Sequence, residues 1–278
     1  MILSGHCRVM RWLIGCCLLF GLASAAMAQA LPYHADPSAR EEVPDLSGVP
    51  AIRFLTSADF PPFNYRDETG QLVGFHVDLA KAICTVLDVA CTVQAWPWDQ
   101  VADALASNQG DALLAGLAID DISAEQFDFS SLYLMLPGRF VARTDEISTF
   151  DAAGLAGKKI AVRAGSAHAQ FLAANMPTVV AVPFDNEIKA LEALRDGQAD
   201  AYFGDAMRAS FWLNENIDCC GFAGEPYFSP RWFGEGFAAA IPAGRGNVRL
   251  AINTALARLK RDGKLDELYL RWFPVSFY

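Results

Sequence analysis

Short apolar segments suited to β-strands alternate with amphipathic segments suited to α-helices, and the alternation runs through the chain twice. Such a pattern restricts the fold to sheets flanked by helices, mainly parallel, of the α/β class. The first pass opens with a strand at Ala51–Leu55. Asp59-Phe60-Pro61-Pro62-Phe63 is not helical, because paired prolines remove donors and fix φ. A turn at Asp67–Gly70 leads to a helix over Phe75–Leu87, with Leu79, Ala82, Ile83 and Val86 on one face. A strand at Cys91–Ala95, a helix at Trp98–Asn108 stopped by Gly110, and a buried strand at Ala112–Ile119 complete the pass. The second pass places strands at Lys158–Arg163, Thr178–Val182 and Ala199–Phe203. Its helices lie at Ser166–Ala174, Glu187–Arg195 (closed by Gly197) and Ala206–Asn214. A last strand at Gly236–Ile241 precedes a helix over Val248–Asp262, which buries Ala251, Ile252, Ala255, Leu256 and Leu259 and stops at Gly263. Two passes suggest two lobes, and open α/β sheets bind ligands at the carboxyl ends of their strands.

The first residues read as an export signal. Arg8 and Arg11 precede an apolar stretch from Trp12 to about Leu22, and Ala26-Met27-Ala28 fits the small-x-small cleavage rule. Residues 1–28 are therefore expected to be a cleavable signal peptide and 29–50, rich in Pro, Ala and acids, an arm. The chain carries 22 basic and 32 acidic side chains, a net charge of −10, and the leader removes two of the bases. That balance disfavours nucleic acid and anionic lipid as partners.

Of seven cysteines, Cys84, Cys91, Cys219 and Cys220 follow the leader, an even number in an exported chain. Cys84 lies near a helix end and Cys91 begins the next strand. Such a return can bring two Cα atoms within about 6 Å, so a Cys84–Cys91 disulfide is expected. For the adjacent Cys219 and Cys220 a vicinal disulfide would be strained, free or partly buried thiols are the plainer reading, and their state stays open. A metal site is not expected, since no His or third Cys stands at ligand spacing, and no cofactor is implied.

Several motifs in order resemble one family. These are Phe60-Pro61-Pro62-Phe63, Gly74-Phe75-His76-Val77-Asp78-Leu79-Ala80, Trp98-Asp99, Gly110-Asp111-Ala112, Phe129-Ser130, Ala164-Gly165-Ser166, Gly197-Gln198-Ala199-Asp200-Ala201 and Phe233-Gly234-Glu235-Gly236. Over residues 50–274 the chain is similar to the periplasmic solute-binding proteins of family 3, amino-acid receptors of ABC importers. The resemblance implies a two-lobed periplasmic binding protein (Venus-flytrap) fold with two hinge strands. Lobe 1 would be 51–140 plus 238–278, and lobe 2 would be 141–237. Arg139–Ala142 and Gly236–Ala239 would form the hinge. It also implies a periplasmic location, a monomer, a small-molecule solute and an inner-membrane ABC permease as partners, and a Cys84–Cys91 pairing seen in part of the family.

The same resemblance points to site residues. Phe60 and Trp98 fall where the family sets side chains against its ligand, and two rings can clamp an apolar or cationic group. The alternative is core packing, for which Trp96 is the better candidate. Asp205 either binds a ligand ammonium, as the family's acid does, or caps the helix that follows. Gly165-Ser166-Ala167-His168 opens a helix whose amides and Ser166 hydroxyl suit an anion or hydroxyl. His168 is either a contact or polar surface. Ala115, Gly116 and Ala118 stand where many relatives carry hydroxyls, and the Gly116 backbone still offers a hydrogen bond. Many relatives also read Thr-x-x-Arg here, the arginine gripping the ligand carboxylate. This chain has Asp120 and Ser123 instead, and Asp120 is open to a second reading as a helix cap. Arg139, Arg163 or Arg208 would then have to supply any replacement charge.

A receptor for a cationic, neutral or amine-bearing solute is therefore expected. The alternatives are an accessory or sensor partner, for example of a redox enzyme, and a dehydratase on the same fold. No acid–base pair stands out for the last, so an enzyme is not expected.

Overall fold

The computed structural model describes residues 45–278. The expected signal peptide and most of the arm lie outside the described residues. The arm's last residues are anchored: Leu46–Gly48 form a 3-10 turn, and Val49 is buried in the core.

The first half contains β1 (Ala51–Thr56), β2 (Asp59–Phe60), β3 (Asn64–Arg66), β4 (Leu72–Val73), α1 (Phe75–Leu87), β5 (Ala90–Ala95), α2 (Trp98–Ala106), β6 (Ala112–Leu113), α3 (Asp121–Ala124) and β7 (Phe127–Phe129). The second contains β8 (Gly138–Arg143), β9 (Lys159–Arg163), α4 (Ala167–Asn175), β10 (Val180–Phe184), α5 (Glu187–Arg195), β11 (Ala201–Asp205), α6 (Ala206–Glu215), β12 (Cys220–Tyr227) and α7 (Pro230–Phe233). The chain then returns through β13 (Ala240–Pro242), α8 (Gly246–Arg261) and α9 (Lys264–Trp272).

Two five-stranded sheets result, ordered β5-β1-β6-β13-β7 and β10-β9-β11-β8-β12, with a small antiparallel sheet of β2, β3 and β4 beside the first. β1 runs parallel to β5 and β6, and β9 runs parallel to β10 and β11. β13 and β8 are antiparallel to both of their neighbours. The expected mainly parallel sheet is thus a mixed one in each lobe. Neither β13 nor β8 closes a right-handed βα unit; each enters its sheet from a segment crossing between the lobes.

The crossing differs from expectation in position. Arg139–Ala142 lies wholly within β8 of the second sheet. The crossing segments meet at Leu134 and at Phe237, the latter within the expected Gly236–Ala239, where Phe237 N donates to Leu134 O at 2.7 Å. β6 is also shorter than the expected strand, because the chain leaves the sheet at Gly116, which has φ +75°. Helix α2 ends before Gly110; Asn108 takes the left-handed conformation in its place.

The helices bury the faces their periodicity marks. α8 buries Ala251, Ile252, Ala255, Leu256 and Leu259 against α1 and the first sheet. Each fully buried Ile or Leu side chain among these contributes about 1.5–3 kcal/mol. On α1 the buried stripe is Leu79, Ala80, Ile83 and Leu87, with Ala82 and Val86 at its margin. The second lobe packs Ile160, Val162, Leu172, Phe140 and Phe203 on one face of its sheet, and Ala161, Leu191, Tyr202 and Trp212 on the other.

Cys84 and Cys91 form a disulfide with Cα atoms 5.8 Å apart. Cys219 and Cys220, whose state the sequence leaves open, form a second disulfide in place of the plainer reading as thiols. Asn216 O accepts from both cysteine amides, at 3.1 and 3.3 Å, and curls the pair tightly after α6.

Candidate functional site

The carboxyl ends of β1 and β6 and the start of α2 border an open cavity of about 270 Å³ lined by Ser57, Asp59, Phe60, Trp98, Ala115 and Gly116. Thr56 fixes the end of β1 by donating its hydroxyl to Leu114 O at 2.6 Å. The Phe60 ring stacks on Phe63 at 4.7 Å, and the peptide between Pro61 and Pro62 that follows it is cis. Gly116 is required here twice over: its φ is positive, and a Cβ would press on the Phe60 ring edge at 3.0 Å. Trp98 opens α2 and is 48% exposed, whereas Trp96 is partly buried and packs on the apolar cluster that contains Leu55, Val101, Leu105 and Phe127. A second cavity of about 310 Å³ adjoins, sharing Asp59 and Trp98 and including Arg66, which donates to Gly70 O at 2.8 Å.

Asp120, Ser123 and Ala118 form a closed set of bonds at the start of α3. The Asp120 carboxylate accepts from Ser123 N at 2.8 Å, and Asp120 N donates back to Ser123 Oγ at 3.1 Å, a complete capping box. The buried Ser123 hydroxyl also donates to Ala118 O at 2.7 Å. The bonds from Ser123 to the Asp120 carboxyl hold it below the usual carboxylate range. Of the two readings of Asp120, the structure shows the cap.

Four expected site residues belong to the second lobe and do not line the cavity. Ser166 caps α4, accepting from Ala169 N at 3.1 Å and donating to Arg163 O at 2.7 Å. Asp205 caps α6, accepting from Arg208 N at 2.8 Å. Burial raises the Asp205 carboxyl, and that amide bond opposes the rise. The His168 ring stacks on Phe233 at 4.5 Å; burial, with Arg163 adding to it, lowers the imidazole to about 4. Arg163 Nε is buried with no hydrogen-bond partner among the described residues.

Arg139 is corrected. Its guanidinium donates to Phe277 O at 3.1 Å and Gly224 O at 2.9 Å and lies over the Phe222 ring, so it ties the C-terminal segment to β12 and does not line the cavity. Arg208 pairs with Glu187 at 3.5 Å.

Sequence reasoning missed Ser57, Asp59, Glu187 and Tyr202. Glu187, whose carboxyl is raised by burial, and the buried Tyr202 hydroxyl, which lacks a partner among the described residues, interact electrostatically with Arg163, Asp205 and Arg208. The glutamate opening α5 was legible as a charge at a helix start; the others carried no signal before β1 and β11 were placed.

Two mixed α/β lobes joined by crossing segments, with polar groups at strand ends and helix starts, define a two-lobed solute-binding protein. The chain belongs to the bacterial extracellular solute-binding proteins, family 3, whose sequence profile matches residues 52–275. It is 31% identical to the ABC transporter arginine-binding protein 1 of Escherichia coli K12, over 82% of this chain and 93% of that one. An ancestral cationic amino acid solute-binding protein shares 26% identity and a TM-score of 0.61, covering 82% of this chain and 97% of its own. The unliganded, open L-cystine solute receptor of Neisseria gonorrhoeae matches the fold with a TM-score of 0.71 at 23% identity, over 82% of this chain and 94% of that one.

Proposed function

We propose that the protein is a periplasmic receptor that closes on a small solute bearing an amine or guanidinium, without a carboxylate held in the family's usual way, and delivers it to an ABC importer. The observation that carries this reading is the capping box. Ser123, the residue that stands for the carboxylate-gripping arginine, is spent on Asp120 and Ala118. No arginine or lysine lines the 270 Å³ cavity, whereas two aromatic rings and the Asp59 carboxylate do. Aromatic faces and a carboxylate attract cations. Once the lobes close, a carboxylate held there without a partner costs several kcal/mol. The arginine-binding relative supports a cationic group, and the missing base argues against its carboxylate.

Lobe closure brings Asp205, His168, Ser166 and Arg163 toward the cavity, a hinge transition driven by contacts made only in the closed state. Asp205 then meets an ammonium, whose charge lowers its raised carboxyl.

A thermal-shift panel of purified protein against agmatine, putrescine, cadaverine, arginine, lysine, glutamate and aspartate tests this. A solute at a hundredfold excess over Kd stabilises by about 2.7 kcal/mol. At this chain length that is a rise of about 5–10 °C. Shifts confined to the amines support the proposal. Strong stabilisation by glutamate or aspartate contradicts it, and silence across the panel favours the accessory role.

A further inference from the structure

A chain of four buried polar side chains runs from the core to the cavity wall. Tyr133 Oη lies 2.9 Å from His76 Nε2, His76 Nδ1 lies 2.7 Å from Asn64 Oδ1, and Asn64 Nδ2 donates to Ser57 Oγ at 2.8 Å. The four are 4%, 1%, 0% and 1% exposed. Phe63, Phe75 and Phe237 surround the imidazole at 5.1, 6.0 and 5.8 Å, so the chain is jacketed by apolar rings. Only Ser57 reaches the cavity.

The closed end of the chain sets its direction. A tyrosine hydroxyl can donate one proton, and His76 Nε2 is the acceptor at hand. If Tyr133 donates, Nε2 is bare and Nδ1 carries the proton, which goes to Asn64 Oδ1. The Asn64 amide then donates one N–H to Ser57 Oγ, and the Tyr133 and His76 protons both have acceptors. The reverse order strands the Tyr133 proton among aromatic rings, at about 1–3 kcal/mol for an unmade buried hydrogen bond. Burial lowers His76 to about 3, which keeps the ring neutral, as this arrangement needs. With Oγ taken as an acceptor by Asn64, the Ser57 proton is left over on the one member of the chain that lines the cavity.

We infer that Ser57 is a preset hydrogen-bond donor in the cavity and that the solute presents a neutral acceptor oxygen to it, beside its cationic group. The oxygen is neutral because one hydroxyl, next to Asp59, does not offset an enclosed anion. The cationic half rests on the proposed function; the donor half rests on the buried chain alone. Tyr133, His76 and Asn64 are positioning residues that act through Ser57.

Two measurements test this. In 15N-labelled wild-type protein near pH 7, the imidazole nitrogen shifts of His76 should show Nδ1 protonated and Nε2 bare; an Nε2–H tautomer overturns the inference. By calorimetry, L-argininamide, which adds a neutral carboxamide to agmatine and keeps both basic groups, should bind wild type about tenfold more tightly than agmatine, the value of one good hydrogen bond. Ser57→Ala should cut that preference to about twofold or less, and Tyr133→Phe should cut it several-fold from a distance, with a mixed His76 tautomer. A preference unchanged in Ser57→Ala overturns the inference. If neither probe binds wild type, the cationic reading fails separately, and the His76 tautomer decides this one.

Discussion

Ser123→Arg returns a guanidinium to the position where many relatives carry one. Its cost follows from the bonds of Ser123. The backbone bond from position 123 to the Asp120 carboxylate survives, whereas the hydroxyl bonds to Asp120 N and Ala118 O are lost. Losing half of a capping box costs about 1–2 kcal/mol. For a chain of this length that lowers the melting temperature by about 2–8 °C. The gain is a charge-assisted pair with the carboxylate of arginine, about 1.5–3 kcal/mol, or roughly tenfold to a hundredfold in affinity. Asp120, one turn earlier, competes for the new charge, so the single variant should show the lower figure and Asp120→Thr/Ser123→Arg the higher. The assay is calorimetry with arginine and agmatine, and the quantity read is the ratio of their dissociation constants. A folded double variant whose ratio equals that of wild type refutes the reasoning.

Trp98→Ala removes a ring that is 48% exposed and lines the cavity. Binding of a cationic solute should weaken by about twofold to thirtyfold, the range of one cation–π contact, with a melting shift under about 2 °C. His76 falls from 6.5 to about 3 on folding through burial. The unfolded chain therefore binds its proton first, and stability present above pH 6.5 is lost as pH falls toward 3. In urea titrations between pH 6 and 4, His76→Gln should show a slope shallower than wild type by about 1.4 kcal/mol per pH unit. His168, lowered to about 4, acts in the same direction and remains in both proteins; equal slopes would remove the assignment. Cys84→Ser/Cys91→Ser opens a loop closed over a separation of seven residues. Chain entropy puts the loss at roughly 2.5 kcal/mol, measurable by denaturant unfolding.

The sequence displayed the helices and the parallel strands plainly, because α1 and α8 repeat their apolar positions at helical spacing and β1 and β9 are apolar runs between turns. It did not display β8, β12 and β13 as antiparallel partners, since their place depends on where the chain crosses between lobes and not on local pattern. Helix α9, with Leu265, Leu268 and Tyr269 buried, went unread beyond Gly263. The lobe-1 rings Phe60 and Trp98 were legible through the family resemblance, and the structure brings both to one cavity. Asp120, Ser123, Ser166 and Asp205 showed a common difficulty: the residues that hold ligands at helix starts are the same types that cap helices. Arg139 was misjudged because a base beside a hinge also serves to bind backbone carbonyls, here those of Phe277 and Gly224. Ser57, Asn64, His76 and Tyr133 span 76 positions of chain, and only the fold makes them one line.

The central claim is that the lobe-1 wall of this cleft takes a cation and lacks the family's usual grip for a carboxylate, the arginine that Ser123 replaces. Calorimetry of the wild-type protein with agmatine and arginine, which differ by that carboxylate alone, tests it directly. The account predicts agmatine to be the tighter ligand by about tenfold or more, as expected when an enclosed carboxylate lacks a partner. Arginine binding more tightly than agmatine would contradict it.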